Sequence, residues 1–210
     1  MLQRFICGGR SSSSTAGFES LEPRQLLAAD PATNVFARFE GSIASGGEVS
    51  IPIALTSQNA TIKGNTTSIA FLLSAAAGST FDPATLAIRN FKNRLVTPTL
   101  ARADLGGAGG NASLTVADLP LGTYTLTFRG ASSGGFNLDV LLQGDVNGDR
   151  VVNRADSNLL NAAYGTRAGQ PGYRLEADAN RDGLVSSYDR SQTTRNQSDQ
   201  LRISPLSLTA

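Results

Sequence analysis

The chain has 210 residues, with 18 Lys and Arg against 17 Asp and Glu, no His and one Cys. Near-neutral charge gives no basis for binding nucleic acid or an anionic membrane surface. Without His, and with Cys7 alone, there is no His-based triad, no zinc site of the usual kind and no disulfide framework. No apolar run approaches the ~18–20 residues of a membrane span, so no transmembrane segment is predicted. Abundant Gly, Ser, Thr and Ala, few aromatics and no Trp suit a small β-rich extracellular domain.

Residues 1–32 read as a leader or sorting segment, largely disordered. Ser11 to Ser14 form a polar run flanked by Gly8, Gly9 and Gly17. The apolar stretch Phe5-Ile6-Cys7 is too short for a signal-peptide core of ~7–15 residues. Cys7 lacks the preceding Leu of a lipobox and reads as an incidental thiol. Leu21-Glu22-Pro23-Arg24, followed by Leu26 and Leu27, resembles the LEPR-XLL leader of planctomycete-type surface and secreted proteins. That resemblance implies an extracellular or cell-surface location. The plainer reading of the same residues is one helical turn started at Pro23.

From 33 to 142 the pattern turns to period two. Val49 to Leu55, Leu114 to Val116 and Tyr124 to Phe128 alternate apolar with small or polar residues, and Ser68 to Leu73, Leu86 to Ile88 and Phe136 to Val140 read as further strands. Turn signals separate them at Gly46-Gly47, Gly64-Asn65, Asp82-Pro83, Gly106 to Gly110, Pro120 to Gly122 and Gly134-Gly135. Short strands without a long amphipathic helix predict a mainly β fold, an antiparallel β sandwich. Pro52 places its strand at an edge. Leu119 to Phe128 and Gly134 to Val140 resemble the bacterial pre-peptidase C-terminal type of β domain. The resemblance implies an architecture used for spacing, for matrix or polysaccharide contact, or as a folding aid.

Two twelve-residue stretches then repeat one ladder of oxygen ligands, Asp145 to Asp156 and Asp178 to Asp189, their starts 33 residues apart. Positions 1, 3, 5 and 12 are Asp145, Asn147, Asp149 and Asp156 in the first and Asp178, Asn180, Asp182 and Asp189 in the second. Position 7 offers the carbonyl of Val151 or Leu184, and position 9 places Asn153 or Ser186 to act through water. Calcium takes ~6–8 oxygens, and this spacing wraps it as the chain curls. Two ions are predicted. Position 6 needs positive φ. Gly183 meets that need and Arg150 does not, so the first site is expected to be the weaker. Val152 and Val185, both at position 8, are expected to lean on each other through a short β contact. A helix should follow each loop: the first presents Leu159, Leu160, Ala163 and Tyr164 and stops before Gly165, and the second has a thin apolar face and should be short.

Neither loop has an entering helix. Two loop–helix units opened by Gly144-Asp145-Val146-Asn147-Gly148-Asp149 resemble a type I dockerin, over about 144–196. The resemblance implies a small α-helical, calcium-folded module (143–200, before a tail at 201–210) and a cohesin-like or envelope protein as partner. In that family positions 10 and 11 contact the cohesin. Here they are Arg154-Ala155 and Ser187-Tyr188, unlike the familiar Ser-Thr pair. Chelation is expected to unfold this module and leave the β domain standing.

The acids outside the loops, Glu40, Glu48, Asp82, Asp104, Asp118 and Asp139, are scattered and give no carboxylate pair for glycoside hydrolysis. The reading is therefore non-catalytic: a docking or structural-attachment protein. Two alternatives stay open, a cohesin-binding adaptor of an extracellular complex, and an accessory module of a secreted hydrolase in polysaccharide or peptide catabolism. Asn59, Asn65, Asn111 and Asn196 match the N-glycosylation pattern and read as polar loops.

Overall fold

The computed structural model describes residues 34–76, 78–103, 105 and 111–202. Cys7 and the Leu21 to Leu27 motif, Asp104, the Gly106 to Gly110 turn, and Ile203, Pro205 and Leu206 of the expected tail lie outside these residues.

The period-two segments become strands β1 (Val35–Ile43), β2 (Glu48–Leu55), β3 (Ala60–Thr61), β4 (Thr67–Ala75), β5 (Phe81–Asn90), β6 (Leu100–Arg102), β7 (Ala112–Leu119), β8 (Gly122–Gly130) and β9 (Gly134–Leu142). Alternation does the sorting: β8 buries Tyr124, Leu126 and Phe128 and turns Thr125, Thr127 and Arg129 the other way. Pairing is antiparallel throughout, in one sheet ordered β1-β9-β4-β7-β6 and another ordered β2-β8-β5. One apolar cluster joins the two, with Phe39, Phe71, Leu138 and Val140 from the first and Ile51, Ile53, Ile88 and Leu126 from the second. Phe128 lies edge-on to Phe81 and Phe136, at centroid distances of 6.3 and 5.0 Å. Tyr124 fixes the turn into β8 by donating its hydroxyl to the Pro120 carbonyl at 2.7 Å.

All six predicted strands are present, and β2, which carries Pro52, is an edge strand as expected. The Asp82-Pro83 turn signal is corrected. It sits inside β5, where register jumps between Asp82 and Ala87. The Asp82 carboxylate accepts from the Ala84 amide at 3.0 Å and its carbonyl from the Thr85 hydroxyl at 2.6 Å, so the turn chemistry makes a bulge and the chain rejoins the same strand.

Helices α1 (Arg154–Ala163) and α2 (Ser187–Arg195) follow β9, with a 3-10 turn at Leu175–Ala177 between them and strand β10 (Gln200–Leu201) after them. No helix among the described residues is long and apolar enough to cross a membrane. This C-terminal part is stitched to the sheets. β10 pairs with β3, and Val152 and Leu201 join the apolar cluster between the two sheets. The outer face of the five-stranded sheet carries a second cluster, Ala70, Leu114, Val116 and Leu141, and Arg102 beside it donates to the Asn180 carbonyl at 3.2 Å. Gly144 sits under α2. Its φ is +87°, and a Cβ there would lie 2.5 Å from the Thr193 Cα, so both backbone and space require glycine.

Candidate functional site

Each Asp ladder curls around its own backbone N–H groups. Asp145 accepts from the amides of Gly148 and Arg150, both at 2.8 Å. Asp156 accepts from Val146, Asn147 and Asn153 at 2.8, 3.1 and 2.8 Å. Asn147 accepts from the Asp149 amide at 3.0 Å, and Asp149 from the Val151 amide at 2.9 Å. The second loop repeats the scheme. Asp178 accepts from the amides of Asp182 and Gly183, Asp189 from those of Ala179 and Ser186, and Asp182 from that of Leu184. Asn180 accepts from the Asp182 amide at 3.0 Å.

These bonds leave the carboxylates enclosed. Asp145, Asp156, Asp178 and Asp189 are at most 2% exposed. No cationic side chain pairs with any of them among the described residues, where the ion pairs are Arg38–Asp139, Arg129–Glu48 and Arg195–Asp118. Burial pushes Asp145 up to about 6, against the pull of the Arg150 amide and with added repulsion from Asp156. Burial also raises Asp189. Carboxylate oxygens of Asp145, Asp149 and Asp156 lie within 4.8 Å of one another. An all-oxygen set this tight suits a hard cation. In the second loop Tyr173 donates its hydroxyl to one oxygen of Asp178 at 2.7 Å. The spacing rules for such loops do not reach Tyr173, which lies five residues before the first ligand.

Positions 9 and 12 also start the helices. Asn153 caps α1 by accepting from the Ala155 amide at 2.7 Å, Ser186 caps α2 by accepting from the Tyr188 amide at 3.3 Å, and both helices carry a full capping box closed by Asp156 or Asp189. The side-chain oxygens at position 9 are thus already engaged. The Asn153 amide donates to the Val151 carbonyl at 3.2 Å.

Backbone strain is shared differently than expected. Arg150 at position 6 has φ +70° and Gly183 +82°, as the spacing requires. Position 4 is left-handed as well, with Gly148 at +76° and Arg181 at +55°. Each loop therefore holds one glycine and one arginine in the left-handed region, in opposite order.

Val152 and Val185 do not touch through a loop–loop contact. Val152 exchanges backbone hydrogen bonds with the segment after α2, donating to Asp199 at 2.9 Å and accepting from Ser198 at 2.7 Å. Val185 does the same with the segment after α1, donating to Thr166 at 3.0 Å and accepting from Gly165 at 2.8 Å. Each helix exit thus straps the loop of the other repeat. The two valines also part company in packing: Val185 joins Val146, Leu160, Ala163 and Ala177 in a small cluster, and Val152 joins the core of the sheets. Tyr164 stays 43% exposed, its ring under the Arg190 guanidinium at 4.1 Å, and Arg190 also donates to Asn161 at 3.0 Å. These contacts hold α1 to α2.

The candidate partner face is uneven. Arg154 and Ala155 are exposed at the start of α1. Ser187 is exposed, whereas Tyr188 is half-buried with its hydroxyl enclosed and without a hydrogen-bond partner. On the same helix Arg195 pairs with Asp118 of β7 at 2.5 Å, and Gln192, Thr193 and the C-cap Asn196 are buried.

Asn196, which the loop spacing does not reach, ties the end of α2 to the five-stranded sheet. Its carboxamide accepts from the Ser68 amide at 2.9 Å and donates to the carbonyls of Ser68 and Gln143 at 2.9 and 2.8 Å. Its only sequence signal is the sequon, which points to a surface loop.

Two short loops, each capping its own helix and strapped by the exit of the other, define a paired loop–helix module related by internal repetition. Residues 143–196 match the family model of the dockerin type I domain. No curated protein matches the chain significantly.

Proposed function

We propose that the chain is a secreted or cell-surface, non-catalytic protein, in which an antiparallel β sandwich (33–142) carries a dockerin-like module (143–200) that calcium holds in shape for docking to a protein partner. The observation that carries this reading is the set of four buried carboxylates without a cationic partner. Two bound calcium ions would supply the missing charge and so contribute folding energy. The first would be held by Asp145, Asn147, Asp149, the Val151 carbonyl, Asp156 and, through water, Asn153. The second would use Asp178, Asn180, Asp182, the Leu184 carbonyl, Asp189 and Ser186. The open start of α1, with Arg154 and Ala155, offers the partner face, and a cohesin-like domain is the kind of partner the family match suggests. Pairing of Asp118, Asp139 and Glu48 with arginines supports a binding role over hydrolysis for the sheets.

Calorimetric titration of chelator-treated protein tests the proposal. Two calcium ions should be taken up at or below millimolar concentration, and Asp145→Ala and Asp178→Ala should each remove one. No uptake at millimolar calcium would sink the reading.

A further inference from the structure

Among the described residues, the face of the β2-β8-β5 sheet that points away from the core is open. The C-terminal module is fastened to β3, β4, β6 and β7 and leaves this face uncovered. A groove of about 500 Å3 runs over it. Its floor offers short hydroxyls, Thr125 and Thr127 on the central strand and Ser50 beside them, while the Thr85 hydroxyl at the far side is engaged by the Asp82 carbonyl and the Arg129 amide. Register places them in order, with Thr127 between Ser50 and Ala87, and Thr125 between Pro52 and Arg89. Hydroxyls both donate and accept, and being short they let a chain settle close to the sheet.

Two guanidiniums stand in the groove. Among the described residues the Arg89 guanidinium makes a single hydrogen bond, to the Asn93 carbonyl at 3.1 Å, and no ion pair. Arg129 meets Glu48 at 3.2 Å, but both side chains are more than half exposed, so that pair is weak and exchangeable. Arg89 lies opposite Thr125 and Arg129 is four residues farther along β8, which sets the two about 13 Å apart along the strand direction. Exposed Lys92 and Arg94 follow on the hairpin after β5, outside the groove's lining, where Lys92 lies over the exposed Phe91 ring at 5.4 Å.

We propose that this groove binds an anionic polysaccharide, its hydroxyls met by the Ser and Thr floor and its carboxylate or sulfate groups by Arg89 and Arg129. The lining selects this occupant. It holds no aromatic ring on which a neutral sugar or a nucleobase would stack. It holds no large apolar side chain to form the dry centre of a protein interface. Spaced charges over a polar, open floor suit an extended, hydrated, negatively charged chain.

The test uses the full chain with calcium held constant, and short oligosaccharides of three kinds: carboxylated (oligogalacturonate), sulfated (dextran sulfate) and neutral (dextran). Binding is read by calorimetry and repeated at rising salt. At least one anionic series should bind, with affinity falling as salt rises, and dextran should not. Whichever anionic series binds identifies the acid group. Arg89→Ala and Arg129→Ala should each weaken binding on the order of tenfold. Thr127→Leu should block it by filling the floor without changing charge. Calcium uptake should be unchanged in all three variants, which separates this site from the paired loops and shows that each variant is folded. Binding of neither anionic series, or equal binding by the Arg89→Ala/Arg129→Ala double variant, overturns the proposal.

Discussion

Arg150 and Arg181 hold the left-handed backbone that a loop of this kind needs at positions 6 and 4, each opposite a glycine in the other repeat. An L-residue there costs about 1–2 kcal/mol relative to glycine. The spacing of the acids was legible, and with it position 6, so Arg150 alone was expected to weaken its loop. Position 4 was hidden because Gly148 satisfies it silently in the first copy and Arg181 occupies it in the second. Backbone strain therefore does not rank the two sites. Arg150→Gly and Arg181→Gly should each tighten calcium binding in its own loop, by about fivefold or more for ~1 kcal/mol of relief, in a calorimetric titration. A gain in the first loop alone would show that position 4 carries no strain. Tyr173 is the asymmetry that remains, because its hydroxyl already occupies an oxygen of Asp178.

At the scale of elements, asparagine amides act as clips on backbone. Asn196 grips both polar groups of Ser68 and the carbonyl of Gln143. Asn111 grips the amide and carbonyl of Phe81, and Asn59 accepts from Thr56 and donates to Ala54. The three sequons are expected as polar loops, yet Asn59 and Asn196 are buried and Asn111 is half-buried, each with its amide bonded to backbone. A sequence pattern reports that an amide is present. Which backbone it meets 128 residues away depends on tertiary packing. Asn196→Ala would leave the Ser68 amide and the Gln143 carbonyl without this partner, the Ser68 carbonyl keeping the Gln143 amide at 3.1 Å, and should destabilise the protein by about 3 kcal/mol, at ~1–3 kcal/mol for each buried group left unmade. Denaturant melts at saturating calcium would measure this, and a loss under ~0.5 kcal/mol, the range of ordinary surface substitutions, would show that water replaces the amide.

At the scale of the molecule, periodicity made most strands legible, and the loop ladder located both helices. β1 was not separated because its inward series Ala37, Phe39, Gly41 and Ile43 is broken by Gly41, whose missing side chain makes room for the Phe136 ring. β6 is three residues long and β3 and β10 two each, too short to show alternation. β10 and the placement of Val152 are also what join the C-terminal module to the sheets. Chelation was expected to melt that module alone. With Val152 and Leu201 in the shared core, loss of calcium should instead loosen the sheets too. Hydrogen exchange after chelation should show lost protection at Thr61 and Ser68 along with the loops, and full protection at both would show that the halves unfold separately. The exits of α1 and α2 cross over, each bracing the opposite copy's coil. A duplicated unit fastened in this exchanged manner cannot lose one copy and keep the other intact, so removing either exit segment should release the coil of the opposite copy.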